Sequence, residues 1–181
     1  PAYLEKAAAL LEAAPDTGFV TCFYELFDEA AGACRYPRPR LPRMLARNEA
    51  VVSSVFRRKA WADAGGYCES LPAMQDWDLW ISILEEGWQG GLLPEVLFDY
   101  RIRAGSMYSE TKKPARFARI LSMICARHQE IYLYHAADVL RLQARFFAEN
   151  VDYSARQEES FQRTVRELRR QIAILRRAAE A

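Results

Sequence analysis

GGYCESLPAMQDWDLWISILEE, residues 65–86, is the stretch from which the rest of the chain is read. The glycine pair Gly65-Gly66 opens it and permits backbone angles and close approaches that a side chain forbids. After a loop, Asp76 and Asp78 stand at the head of an apolar stripe. Trp77, Trp80, Ile81 and Leu84 recur at i, i+3, i+4 and i+7, the spacing of one helical face. Gly87 supplies a natural stop. The stretch therefore predicts a helix that buries an aromatic side and holds two acids at its N-terminal mouth. Local chemistry leaves two compatible roles for Asp76. It can cap the helix by accepting a hydrogen bond from a first-turn amide, or it can serve as a general base fixed beside indole rings. Asp78 is assigned mainly to structure, as a first-turn acid favoured by the helix dipole by about 0.3–1 kcal/mol.

Before this stretch, residues 3–14 read as a helix rich in Ala and Glu, with Leu4, Ala8 and Leu11 on one face. Pro15-Asp16-Thr17-Gly18 is turn chemistry, and residues 19–27 carry the β-branched and aromatic content of a strand. Residues 28–48 shift to Gly, Pro and Arg around RYPRPRLPR, which excludes a regular helix. That basic loop is either a solvated connection or a means of positioning a phosphate-bearing substrate. Residues 51–56 predict a short buried strand and residues 58–64 a short helix. After the central helix, Trp88-Gln89-Gly90-Gly91 predicts a turn and residues 92–103 a strand. In it Val96, Phe98 and Tyr100 alternate with Leu97, Asp99 and Arg101, and Pro94 belongs at its edge or beginning. A flexible loop over residues 103–107 follows.

The remainder predicts helix. Pro114 suits a first turn, and the helix runs on to about residue 149 with a break near residues 134–137. Phe161, Val165, Leu168, Ile172, Leu175 and Ala179 then form a heptad seam. Such a seam can fold back, pair with a second copy or continue into a longer coiled coil. The arginines around residues 166–177 read as a solvated helix face, not a nucleic-acid site.

The ordered set AGGYCES, QDWDLW and EEGWQGGLLPEVLFDYRIRAGSM resembles the second half of a family 2 glycosyltransferase of GT-A fold. That family carries a glycine pair, an acidic motif opening a helix, and a strand ending in a Tyr-Arg segment. The likeness covers residues 1–108, a little over half of the chain. It implies an α/β fold: a partial GT-A-like mixed sheet with flanking helices over residues 1–113, then a helical extension over residues 114–181. It aligns Asp76 with the catalytic base of an inverting sugar transfer from a nucleotide-sugar donor to a glycan acceptor, as in polysaccharide synthesis. Gln75 stands where the family often has Glu. Gly65 and Gly66 are then expected to let the acceptor loop approach, Trp77 to stack on a sugar ring, and Arg101 and Arg103 to meet substrate. Arg103 replaces a histidine that often contributes to the family's metal site; an arginine there can pair with diphosphate oxygens. A divalent cation, Mg or Mn, is implied for the complete enzyme. Its principal ligands, in an Asp-x-Asp motif that precedes a helix like PAYLEKA, are absent from this chain, so the donor-binding half is expected to lie elsewhere.

Composition bounds these expectations. A chain of 181 residues, about half apolar, suits one domain with an appendage. A net charge of +1 gives no global field toward nucleic acid or an anionic membrane. No apolar run approaches the ~20 residues of a membrane span. The four cysteines lack a paired metal-binding spacing and read as reduced thiols, and with two histidines a zinc site is not expected. The expected location is cytoplasmic, compatible with the inner face of a membrane. A non-catalytic reading also fits, in which the scaffold is degenerate and the C-terminal helices assemble two chains.

Overall fold

The computed structural model describes residues 2–150. The heptad seam and the arginine cluster of the tail lie outside them. The chain divides into two compact units, Pro1–Val139 and Leu140–Ala181. The first is a mixed α/β unit built around a four-stranded sheet. Helix α1 (Ala2–Ala13) leads into the long strand β1 (Thr17–Asp28), followed by the short β2 (Gly32–Cys34). Helix α2 (Arg43–Ala46), strand β3 (Val55–Phe56) and helix α3 (Arg58–Asp63) come next. Helix α4 (Gln75–Glu85) and strand β4 (Gln89–Ile102) complete the sequence motif described above. Three helices follow: α5 (Met107–Thr111), α6 (Pro114–Arg127) and α7 (Gln129–Tyr134). Residues 136–150 are helical again. Among the described residues no helix is long and apolar enough to cross a membrane.

Strand β1 organises the sheet. One edge pairs in parallel with β4 along its whole length, from Thr17↔Gln89 to Asp28↔Ile102. The other edge is shared end to end by two antiparallel partners, with Phe19↔Phe56 from β3 and Tyr24↔Cys34 from β2. A strand has two edges, so both of β1 are saturated. Pro94 sits inside β4, not at its start. The register passes from Cys22↔Leu93 to Phe23↔Val96, so the pairing skips the residue that has no amide hydrogen to give.

Each face of β1 is covered. Phe19 stacks on Trp80 of α4 with ring centroids 4.7 Å apart. Both are fully buried in a core that Met44, Leu45, Ile81, Ile83, Ile120 and Ile124 also fill. On the other face Val20 and Cys22 meet Ala7 and Leu11 of α1. Gly18 leaves no room for a side chain beneath α4: a Cβ there would lie 2.7 Å from Ile83 Cγ2 and 2.8 Å from Trp88 Cβ. Arg57 fastens the end of α1. Its guanidinium donates to the carbonyls of Thr17 at 2.8 Å and Ala14 at 3.3 Å, and also to Leu11. Leu11 is in the last turn of α1, where carbonyls lack a helical partner.

Several differences from the sequence reading have simple causes. Residues 51–54 form a turn instead of strand, because Ser54 N–H and Oγ both bond Val51 C=O, while Val51 N–H goes to Thr21 Oγ1. The basic loop contains a strand and a helical turn, β2 and α2. Two of its cations are engaged in the fold: Arg38 donates to Gly90 C=O at 2.6 Å, and Arg43 grips the buried Glu49 at 2.8 and 2.6 Å. Helix α6 belongs to the first unit, since Ile120 and Ile124 are 0% exposed in its core. The long helix breaks at His128 as well as at His135, and the second break falls within the expected interval.

Candidate active site

Asp76 lies within the first turn of α4, and Met74 occupies the capping position. Met74 makes no side-chain cap and holds a left-handed backbone, φ 60° and ψ 29°. A non-glycine residue in that region costs about 1–3 kcal/mol, a strain that collects at functional sites. Gln75, the next residue, donates its amide to Leu71 C=O at 2.7 Å and so braces the incoming loop. An ionised Glu at this position has no hydrogen to donate. Gln75 therefore has a structural use that a glutamate could not supply.

The Asp76 side chain is half-buried. It accepts a hydrogen bond from Asn48 Nδ2 at 3.2 Å, and Asn48 is itself oriented by the Ala50 N–H, 3.2 Å from its Oδ1. Burial pushes the Asp76 carboxyl above its ordinary value, against hydrogen bonds from the backbone amides of Trp77 and Asp76 and from Asn48 that pull it down. A raised carboxyl is a stronger proton acceptor once ionised. Two phenols feel its charge. Tyr67 is raised by burial and then by the Asp76 carboxylate, and Tyr100 by burial, then by Tyr108 and last by Asp76.

Tyr100 also belongs to a series of rings. Tyr36 lies 6.3 Å from Tyr24, Tyr24 lies 6.0 Å from Tyr100, and Tyr100 lies 5.6 Å from Tyr108, centroid to centroid. The Arg47 guanidinium covers Tyr36 at 5.0 Å and reaches Glu49 at 2.9 Å. Asn48 sits between those two residues in sequence. One short segment thus connects the acid, the ring series and the buried Arg-Glu cluster.

The expected site residues divide. Trp77 is 2% exposed, and its indole N–H donates to Met44 C=O at 2.6 Å, so it is a core residue with no face to offer a sugar. The helical stripe had already placed it on the buried side. Gly65 and Gly66 have φ of 75° each, and their amides bond the carbonyls of Ala62 and Trp61, closing α3. Their work is to end a helix and deliver Tyr67. Arg101 alternates with Tyr100 along β4 and is paired with Asp28 at 2.8 Å. Arg103 is exposed just beyond the strand. Asn48, Tyr67 and the tyrosine series were not anticipated. The alternating aromatics of β4 carried part of that signal; the loop carrying Asn48 and the single Tyr67 carried none.

Asp78, two residues on, does a different job. It is fully buried and accepts from Arg127 Nε at 2.9 Å and His128 Nε2 at 3.1 Å. His128, 4% exposed, turns its Nδ1 to Glu85. Burial alone lowers the imidazole pKa, but the two carboxylates outweigh it and raise the value to about 9. For Asp78 burial acts upward, and the His128 and Arg127 hydrogen bonds win, holding it low. This is a charged clamp between α4 and α6.

The residues do not fit a metal centre: no cluster of three or more His, Cys, Asp or Glu placed to hold an ion occurs among those described. All four cysteines are free thiols. Comparison with protein-family models finds no match, and no curated protein matches the chain.

Proposed function

We propose that the chain supplies the acceptor side of an inverting glycosyltransferase, with Asp76 as the general base. The nucleotide-sugar half of the site lies outside the described residues. One observation carries the reading: a half-buried carboxylate at the mouth of α4 that accepts a hydrogen bond from Asn48 and is pushed above its ordinary value by burial. In the reaction, Asp76 takes the proton of an acceptor hydroxyl as that oxygen attacks the anomeric carbon. The bond from that carbon to the diphosphate breaks on the opposite face, and the leaving group carries away the electron pair. The order of the motifs around Asp76 and the mixed sheet are compatible with the GT-A resemblance.

Release of nucleoside diphosphate from a panel of UDP-, GDP- and dTDP-sugars tests the proposal. The full polypeptide that contains these residues is expected to turn over one of them, and Asp76→Asn to slow it about 10²–10⁴-fold, the usual contribution of a general base. The 181-residue chain by itself is expected to show none. Unchanged turnover in Asp76→Asn rules out the assigned role. Transfer by the isolated chain rules out the division into donor and acceptor halves.

A further inference from the structure

The helix over residues 136–150 carries apolar residues along two lines. Val139 and Phe146 form the first and are 6% and 8% exposed. Leu140, Ala144 and Phe147 form the second, at i, i+4 and i+7, and this one faces water. Leu140 is 67% exposed and Phe147 72%, and Ala144 is exposed between them. A surface helix needs one apolar stripe to bind it to its domain. A second, left in water, marks an interaction surface.

The sequence beyond the described residues bears on what covers it. From Leu140 to Phe147 is one heptad, and two more lead to Phe161, where the tail seam through Leu168 and Leu175 begins. The exposed line and the tail seam therefore share one phase. Residues 115–181 contain neither glycine nor proline, so no turn signal invites the tail to fold back along its own helix. A second copy of the chain needs no turn.

We propose that this face joins two copies of the chain in an antiparallel coiled coil over residues 140–172. The direction follows from the residues at the seam positions. In a parallel pair each residue meets its own counterpart. Ala144 then meets the partner's Ala144 and leaves a gap, and Glu158 meets the partner's Glu158, like charge on like. Reversing one chain removes both faults in a single register. Leu140 then lies opposite the partner's Ile172, Ala144 opposite the partner's Leu168, and Phe147 opposite the partner's Val165. Every layer holds at least one large side chain, and small residues meet large ones. Glu158 falls opposite the partner's Ser154, whose hydroxyl can donate to the carboxylate. The two faces occupy one another, so assembly closes at two chains. The inference stands apart from the transferase reading and is tested without substrate.

Sedimentation equilibrium of the 181-residue chain at micromolar concentration provides the test. Wild type is expected at the mass of two chains, and the double variant Leu140→Glu, Phe147→Glu at the mass of one. All four tryptophans lie between residues 61 and 88, so an unchanged near-UV circular dichroism signal shows that the first unit of the variant is folded. Leu4→Glu, at a residue 63% exposed on α1, should stay at two chains. Direction is read by disulfide formation. An equal mixture of Leu140→Cys and Ile172→Cys chains should give a covalent dimer under mild oxidation, and neither variant alone should exceed wild type. Wild type at the mass of one chain, a dimer that survives the double substitution, or a covalent dimer formed by Leu140→Cys alone overturns the proposal.

Discussion

At the scale of single residues, Asp76 is held at an energetic disadvantage. Its folded pKa lies above the ordinary 3.8, so the native state binds the proton more tightly than the unfolded chain does. By linkage, stability falls as pH rises from the unfolded value through the raised one, and above it the ionised carboxylate is a net cost. Asp76→Asn removes that charge and keeps the shape. Its melting temperature at pH 7–8 is therefore expected to exceed that of wild type, and scanning calorimetry at pH 3 and pH 8 should show the gain at the higher pH alone. An equal or lower value at pH 8 would mean that the carboxylate earns its place structurally. The left-handed Met74 is a second cost at the same spot. Met74 carries backbone strain and Asp76 a desolvation cost, both at the first turn of one helix.

Between elements, the junction of α4 and α6 depends on His128, which stands between Asp78 and Glu85. Because its folded pKa of about 9 lies above the unfolded 6.5, its contribution is complete below 6.5 and is lost as pH rises through 9. The lowered Asp78 gives the opposite limb: its contribution is present above the ordinary 3.8 and disappears as pH falls below that. His128→Ala leaves Arg127 as the one cation on Asp78 and takes the imidazole away from Glu85, and is expected to cost up to about 3 kcal/mol. Urea unfolding at pH 7 and at pH 10 checks this: the variant should differ from wild type strongly at pH 7 and far less at pH 10. A difference independent of pH would assign His128 to packing instead of charge.

For the molecule as a whole, periodicity revealed most of the framework. The stripe of Trp77, Trp80, Ile81 and Leu84 is buried as expected, but so are Asp78, Leu79, Ser82 and Ile83 between them, so α4 is enclosed on all sides; the alternation through Phe98 and Tyr100 marked β4. Two kinds of feature were hidden. Short elements such as β2 and α2 are too brief to show a period, and each is fixed by one specific pairing, Tyr24↔Cys34 and Arg43 on Glu49, so local composition reads them as loop. The surroundings of Asp76 are likewise assembled from three separated segments, carrying Asn48, Tyr67 and Tyr100, and no spacing rule connects them. Sequence alone left Asp76 between a helix cap and a base. The two roles differ in sign: a capping carboxylate, bonded to amides at the positive end of the helix dipole, titrates low, whereas one half-enclosed by the fold titrates high. A pH titration of the Asp76 carboxyl carbon by NMR decides between them. The account predicts a midpoint above 3.8, rising further in Asn48→Ala as a lowering hydrogen bond is lost; a midpoint at or below 3.8 would contradict it.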